Sequence, residues 1–205
     1  MIVGFSHLIF NTPKVETVIN DLKNQGYQID FSELGLPNHT NKKPLLKFYS
    51  EKHDIHLLRH ETHYDVEVLN HYSETSEVQN RLFNDKDKVV SIIIPTGKQP
   101  SESEFWANLG FKVNDGGVYL KRPVPAWDIE IQFTESSATL VEQKLDLNGF
   151  TSIAFITKNL QACKQLVMES ASWISDTFSL EVNGKSLSIA LMKSPTGIII
   201  ELVEV

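Results

Sequence analysis

The chain of 205 residues is long enough for one large or two small domains, and its 41% hydrophobic and 22% charged residues are typical of a globular protein. The formal net charge of −7 argues against binding to nucleic acids or anionic membranes, which requires a basic surface. The single cysteine, Cys163, excludes an internal disulfide, and no segment has the pattern of a signal peptide or a membrane span. We therefore expect a cytoplasmic protein.

Residues 1–63 predict a unit of one strand, one helix and three further strands. The apolar run "VGFSHLIFN" predicts the first strand, and Thr12-Pro13 marks the start of a helix that ends near Gly26. Apolar residues spaced three and four apart form one face of that helix, at Val15, Val18, Ile19 and Leu22. The runs "YQIDF", "LLKFYSE" and "DIHLLRHE" predict the other strands, and residues 64–88 are predicted to form a connecting helix and loop.

The same order of elements returns twice. Residues 89–136 contain the strand "VVSIIIPT", a short helix, and the strands "FKVND", "GVYLKR" and "WDIEIQF". Residues 149–205 begin with "GFTSIAFIT", continue with a helix capped by Asn159, and end with "TFSLEVN", "KSLSIALMK" and "GIIIELVEV". Because "GFSHLIF" matches "GFTSIAF", and "DIHLL", "DIEIQ" and "IIELV" match as last strands, we predict an α+β protein with three βαβββ modules.

Three segments carry a resemblance to a known superfamily. They are "ESEFWANLGFKV", which resembles a helix-to-strand segment, "SPTGIIIEL", which resembles the turn into the last strand, and "GFSHLIF", which resembles the first strand. Together they resemble the vicinal oxygen chelate superfamily, which includes glyoxalase I, bleomycin-resistance proteins and extradiol dioxygenases. The resemblance implies that modules pair into a curved, incomplete barrel, and that a divalent metal binds in its cup.

The resemblance also implies where the metal ligands lie, namely in the first and last strands of each module. The matching first-strand positions are His7, Ser91 and Ser152, and the last-strand positions are His56, Glu130 and Glu201. The metal ligands implied in this way are His7, His56, Glu130 and Glu201, and the ion would be zinc, iron, manganese or nickel.

Strand alternation and ligand chemistry indicate which of these positions could bind a metal together. In "DIEIQF" the apolar residues alternate with Glu130, so its side chain is expected to face the cup, and His56 and Glu201 have the same phase in their strands. If the second and third modules paired, the site would contain two serines and two carboxylates, a poor set for zinc or iron. If either paired with the first module, two imidazoles and a carboxylate would meet, so a metal site requires the first module.

Each candidate also has a purely structural interpretation. His7 could be a buried core histidine, and His56 could face the cup without binding a metal. The carboxylates of Glu130 and Glu201 could instead be neutralised by an arginine. The available arginines are Arg59, Arg81 and Arg122.

Two functions follow from the resemblance. The first is a metal-dependent lyase, isomerase or dioxygenase that acts on a small oxygenated metabolite, with Glu201 or Glu130 as general base. The alternative is a metal-free small-molecule-binding protein of the bleomycin-resistance type, with a pocket lined by aromatic residues such as Tyr49, Tyr119 and Trp127. A homodimer is expected in either case, because an unpaired module would expose a sheet face.

Overall fold

The computed structural model describes residues 1–73, 75, 77–79, 83–86, 89–95, 99–120, 128–134 and 142–205. These residues form a mixed α+β fold with a ten-stranded sheet, a five-stranded sheet and short helices. None of the helices in these ranges is long and apolar enough to cross a lipid bilayer.

The first module begins as predicted, with a strand followed by an amphipathic helix. Its elements are β1 (Ile2–Asn11), α1 (Val15–Asn24), β2 (Gln28–Pro37), a 3₁₀ helix (Thr40–Leu45), β3 (Lys52–Arg59) and β4 (Asp65–Asn70). The strand predicted for "LLKFYSE" was wrong, because backbone N–H groups of this segment donate to a side chain instead of to a neighbouring strand. The Asp146 carboxylate accepts hydrogen bonds from the backbone N–H groups of Lys47 and Phe48, at 2.7 and 2.8 Å.

Residues 64–88 were predicted to form a connecting helix and loop, and for the start of this segment that prediction was wrong. Its first residues form β4, which pairs with both β1 and β3. Val66 and Val68 are buried in the main core, and they alternate with the partly exposed Asp65 and Glu67. The last strand of the first module is therefore β4, and "DIHLLRHE" belongs to the strand before it.

The remaining elements follow the predicted order more closely. The middle of the chain contains β5 (Val78–Gln79), β6 (Phe83–Lys86), β7 (Val89–Pro95), α2 (Gln99–Asn108), β8 (Lys112–Asn114), β9 (Gly117–Leu120) and β10 (Asp128–Thr134). The last part contains β11 (Asn148–Thr157), α3 (Leu160–Leu166), β12 (Trp173–Ile174), β13 (Phe178–Val182), β14 (Lys185–Lys193) and β15 (Ile199–Glu204). The Asn159 cap of α3 is confirmed, because its side chain accepts a hydrogen bond from Ala162 N at 2.8 Å.

The larger sheet joins strands from the two ends of the chain. Its strand order is β12-β14-β15-β11-β1-β4-β3-β2, with β13 paired to β14 and β5 paired to β11. The antiparallel pair of β1 and β11 connects the two halves, and the sheet is curved and unclosed. This pairing of residues 1–70 with residues 148–204 confirms the α+β class and the curved, incomplete barrel, whereas the count of three modules stays a prediction.

The middle of the chain forms the smaller sheet, in the order β6-β7-β10-β9-β8. It packs on the helix-covered face of the larger sheet through a shared core, in which Phe105 and Trp106 of α2 are completely buried. The buried Glu102 carboxylate fixes this contact. It accepts hydrogen bonds from Trp106 Nε1 at 2.8 Å, from Ser194 Oγ at 2.8 Å and from Thr196 N at 2.6 Å.

We call the other face of the larger sheet the cup face. It carries Ile9, Ile55, Leu69 and Ala154, which form a separate small apolar cluster. Its β14–β15 half is covered by the chain itself. Leu45 and Leu46, together with Leu145, pack there against Phe178, Ile189, Leu191 and Ile199. The polar centre described next lies beside these apolar groups, on the strands that join the two halves.

Candidate functional site

Glu201 lies on the cup face, as strand alternation predicted. Ile198, Ile200 and Leu202 belong to the helix-side core, whereas Ile199 packs on the cup face, in the half covered by Leu45, Leu46 and Leu145. Glu201 alternates with the first set and is only partly buried. Its carboxylate therefore points away from the apolar helix side, and the expectation about its direction is confirmed.

The register between β1 and β11 relates the two halves of the sheet by an approximate two-fold axis. His7 pairs with Ala154, and Ile9 pairs with Ser152. Exchanging the two strands therefore places His7 on the position of Ser152, and Ile9 on the position of Ala154. These are the two first-strand positions that the sequence match had aligned.

The same symmetry identifies the equivalent of Glu201 in the first half. The parallel partner of Ile9 on β4 is Glu67, and the parallel partner of Ala154 on β15 is Glu201. Glu67 and Glu201 thus occupy equivalent last-strand positions. The sequence alignment had placed His56 there, because it ended the first module one strand too early.

His7 and Glu67 meet in the cup. His7 is 8% exposed, and its Nδ1 lies 2.9 Å from Ser6 Oγ. Its Nε2 lies 3.4 Å from Glu67 Oε2 and has no hydrogen-bond partner. Burial lowers the pKa of His7, although the negative charges of Glu201 and Asp65 oppose that shift. A buried imidazole nitrogen without a hydrogen bond is uncommon and indicates a place for a water, an ion or a ligand.

Burial also makes both carboxylates harder to ionise. It raises the pKa of Glu67 to about 7, with an opposing effect from the positive charge of Lys42. Burial and the neighbouring Glu67 raise the pKa of Glu201, while Lys42 and His7 oppose the shift. The two carboxylates therefore share one electrostatic environment, although they come from opposite halves of the sheet.

Lys42 was not identified from the sequence. It belongs to the 3₁₀ helix and is 4% exposed, and its Nζ lies 3.5 Å from His53 Nε2. A buried ammonium group needs nearby negative charge or hydrogen-bond acceptors. Here it receives both, from the carboxylates of Glu67 and Glu201 and from the His53 ring.

The other two residues expected to bind a metal lie elsewhere. His56 is opposite Val68, so it shares the helix side of the sheet, and its Nδ1 lies 2.8 Å from Ser32 Oγ. It lines a cavity of about 520 Å³ next to the start of α1. The structure does not bring it to His7, because antiparallel pairing aligns Leu57, not His56, with Glu67.

Glu130 is on β10 of the smaller sheet and faces away from its buried neighbours Ile129 and Ile131, which confirms the alternation, whereas a cup on that side stays a prediction. Its carboxylate accepts a hydrogen bond from Gln132 Nε2 at 3.3 Å. Tyr119 is its cross-strand partner and is partly buried. The side chain of Ser91, and the whole of Arg81, Arg122 and Trp127, lie outside the described residues.

The donors around His7 suit a divalent ion in kind. One imidazole and two carboxylates form a donor set that zinc, iron or manganese accepts. Across the described residues, no three His, Cys, Asp or Glu side chains stand close enough together to hold a metal as they are. The feature that fits a metal is His7 Nε2, which has no hydrogen bond and lies next to a carboxylate oxygen of Glu67. Ser152 is the first-strand residue of the second half that corresponds to His7, and its Oγ is also buried without a hydrogen bond.

Comparisons with known proteins concern the fold. No protein-family model matches the chain, and no curated protein matches it. Among solved structures, glyoxalase I from Zea mays has 16% identity and a TM-score of 0.41, covering 98% of this chain and 67% of that one. Methylmalonyl-CoA epimerase from Mycobacterium tuberculosis has 10% identity and a TM-score of 0.48, covering 99% and 88%.

A bleomycin resistance determinant encoded on the transposon Tn5 covers 59% of this chain and 98% of its own, with 16% identity and a TM-score of 0.36. Glyoxalase I and bleomycin-resistance proteins are also among the groups that the sequence resembles. The strand order and register of the chain give the paired-module fold directly. The matches carry no argument about activity, substrate or metal.

Proposed function

We propose that the chain is a divalent-metal-dependent enzyme that acts on a small oxygenated metabolite, with His7, Glu67 and Glu201 as the residues that hold the ion. The observation that carries this proposal is the buried His7 Nε2, which has no hydrogen bond and lies 3.4 Å from Glu67 Oε2. The reaction class remains that of the sequence interpretation, a lyase, isomerase or dioxygenase.

When bound, the ion would polarise substrate oxygens as a Lewis acid. The chain's own side chains would bind the substrate and transfer protons to or from it. Contact with the ion would keep the Glu67 carboxylate ionised, so it could accept a proton from the substrate as a general base. Glu201 is the second candidate base, and Lys42 would attract an anionic substrate oxygen into the cup because its ammonium group is already buried there.

A second function is favoured by the same lysine. Lys42 supplies positive charge to Glu67 and Glu201, so the two carboxylates have a counter-charge without any metal. In that case the cup would bind a small molecule without transforming it, as in the bleomycin-resistance alternative. The two functions differ in whether a metal binds beside His7.

Calorimetric titration of tag-free, chelator-stripped protein with Mn²⁺ and with Zn²⁺ tests the proposal. We expect one equivalent to bind, and His7→Gln to weaken that binding at least tenfold. His56→Gln is the matched control, because its imidazole lies on the other side of the sheet and should leave the affinity unchanged. Absence of binding by the wild-type protein would favour the metal-free function.

The three-module division and the homodimer are part of the same proposal. Residues 89–136 would form a module of their own, which is supported by the order of their elements, β7, α2, β8, β9 and β10. Among the residues that the structure describes, no edge strand of the smaller sheet pairs with a second half-sheet in the way that β1 pairs with β11 in the larger sheet. A cytoplasmic homodimer would supply such a partner, and light scattering of the purified protein tests its mass.

A further inference from the structure

The 3₁₀ helix Thr40–Leu45 crosses the cup face of the larger sheet. On one side it contacts β3, where Lys42 Nζ lies 3.5 Å from His53 Nε2. On the other side Leu45 packs in the apolar cluster that covers β14 and β15. Since β4, β1 and β11 lie between β3 and β15 in the sheet, the helix passes over the strands that carry the polar centre.

Lys42 places its ammonium group in the cup. Its neighbour His53 takes the same side of β3 as Ile55, two residues further on, and Ile55 belongs to the cup-face cluster. The Lys42 side chain is only 4% exposed, so water reaches its charge poorly. The charge acts on both halves of the sheet, because it opposes the rise in the pKa of Glu67 and of Glu201.

The backbone of this helix is anchored by other parts of the chain. Leu145 N donates to Leu45 O at 2.8 Å, and Asn41 Nδ2 donates to Asp176 O at 3.1 Å. These contacts fix the Cα of Lys42 over the cup. Its flexible side chain is the part that can change direction.

A buried ammonium group and a divalent ion in the cup would need the same negative charge. Each is stable away from water only when carboxylates or other acceptors surround it. Together, the ion and Lys42 would bring more positive charge than the carboxylates of Glu67 and Glu201 can balance. Because a buried site screens charges weakly, the two cations would also repel each other strongly.

The side chains around His7 would have to rearrange to hold an ion. Over the described ranges of the chain, no three possible ligand side chains stand close enough together to bind a metal as they are. His7 Nε2 lies 3.4 Å from one Glu67 oxygen, so part of the site is already formed. Withdrawal of the Lys42 ammonium from the carboxylates is a change that an entering ion would itself drive.

We propose that Lys42 is a built-in competitor of the metal, whose ammonium group neutralises Glu67 and Glu201 in the metal-free protein and is displaced from them when the ion binds. The inference rests on the proposed function, because it concerns the same site. A charged lysine has no lone pair to offer a metal, so Lys42 is a positioning residue and not a ligand. It would set the metal concentration at which the cup is loaded.

Calorimetric titration of tag-free, chelator-stripped protein with Mn²⁺ at pH 8 tests the inference. Lys42→Met keeps a long side chain and removes the charge, so we expect it to bind Mn²⁺ at least tenfold more tightly than the wild type. Lys42→Gln is a second variant, in case the first does not fold. It also removes the charge but keeps a hydrogen-bond donor for His53, and it should show the same gain.

Lys43→Met is the matched control. It makes the same change of charge one residue further along the same helix, at an exposed position where solvent screens the charge. We expect it to change the affinity for Mn²⁺ less than threefold. A gain in Lys43→Met as large as that in the Lys42 variants would overturn the inference, because it would reflect the net charge of the protein alone.

The outcomes separate this inference from the proposed function. Equal affinities of the wild type and the Lys42 variants would overturn the inference and leave the proposed metal site standing. Binding by the Lys42 variants alone would support the inference, since Lys42 would then exclude the ion, and would contradict a metal-dependent wild-type enzyme. Absence of binding in the wild type and in both folded variants would overturn both.

Discussion

Replacing Glu67 by glutamine should stabilise the metal-free protein at alkaline pH. Glutamine keeps the shape of the side chain but has no charge to bury. Burial raises the pKa of Glu67 from 4.5 to about 7, so the folded state holds this proton more tightly than the unfolded chain does. The folded wild type is therefore penalised as the pH rises from 4.5 to 7, and the full penalty applies above that range.

The size of the effect follows from the shift. A difference of about 2.5 pKa units, at about 1.4 kcal/mol per unit, gives about 3 kcal/mol at pH 8 and below about 1 kcal/mol at pH 5. The Glu67 side chain is 13% exposed, so solvent screening is small. This figure is the largest gain expected, because glutamine must still satisfy its own amide group in the cup.

Urea unfolding at pH 5 and pH 8, with chelator present, measures the effect. Glu67→Gln should raise the free energy of unfolding at pH 8 and leave it nearly unchanged at pH 5. Glu181→Gln is the control, because Glu181 is exposed on β13 and its neutralisation should matter little at either pH. A loss of stability in Glu67→Gln at pH 8 would refute the reasoning, since it would mean that the carboxylate is ionised and well paired.

Further predictions concern buried histidines and one buried carboxylate. Burial lowers the pKa of His53 to about 2 and that of His71 to about 3, so their stabilising contribution is complete above pH 6.5 and is lost as the pH falls. His71→Gln should make the decrease in unfolding free energy between pH 6 and pH 4 shallower by up to one proton, and an unchanged slope would contradict this. Glu102→Ala should destabilise the protein by about 3 kcal/mol in urea, because it leaves the buried donors of Trp106, Ser194 and Thr196 unpaired; a loss below about 1 kcal/mol would show that water replaces the carboxylate.

The direction of Glu201 could be predicted because it depends only on local alternation. In a strand with one buried face, the side-chain period of two assigns each residue to a side, whatever the neighbouring strands are. Ile198, Ile200 and Leu202 therefore define the side that Glu201 does not take. Glu130 was placed by the same argument on the polar side of β10.

The position of Glu67 could not be predicted from the pattern that located Glu201. The run around His56 matches the other last strands residue by residue, so the repeat match assigned it as the last strand of the first module. The last strand is the following one, β4, which pairs with both β1 and β3. Its alternation of Val66 and Val68 with polar residues was a usable signal. The repeat match outweighed that signal, because only the pairing with β1 shows which strand comes last.

Lys42 had no local signal at all. It comes from a 3₁₀ helix between two strands, and its burial depends on contacts of that helix with distant residues. Leu145 N donates to Leu45 O at 2.8 Å, and Lys144 Nζ donates to Pro44 O at 3.1 Å. Contacts between residues about 100 positions apart leave no periodic pattern in the sequence. The position of Lys42 in the cup can therefore be seen only in the folded structure.

The most direct test of the cup as the functional centre is anomalous diffraction from crystals soaked in Mn²⁺. The proposed function predicts one anomalous peak beside His7 Nε2, at the carboxylates of Glu67 and Glu201. A peak at His56, or no peak in the cup at a manganese concentration that saturates the calorimetric titration, would contradict the assignment of this site.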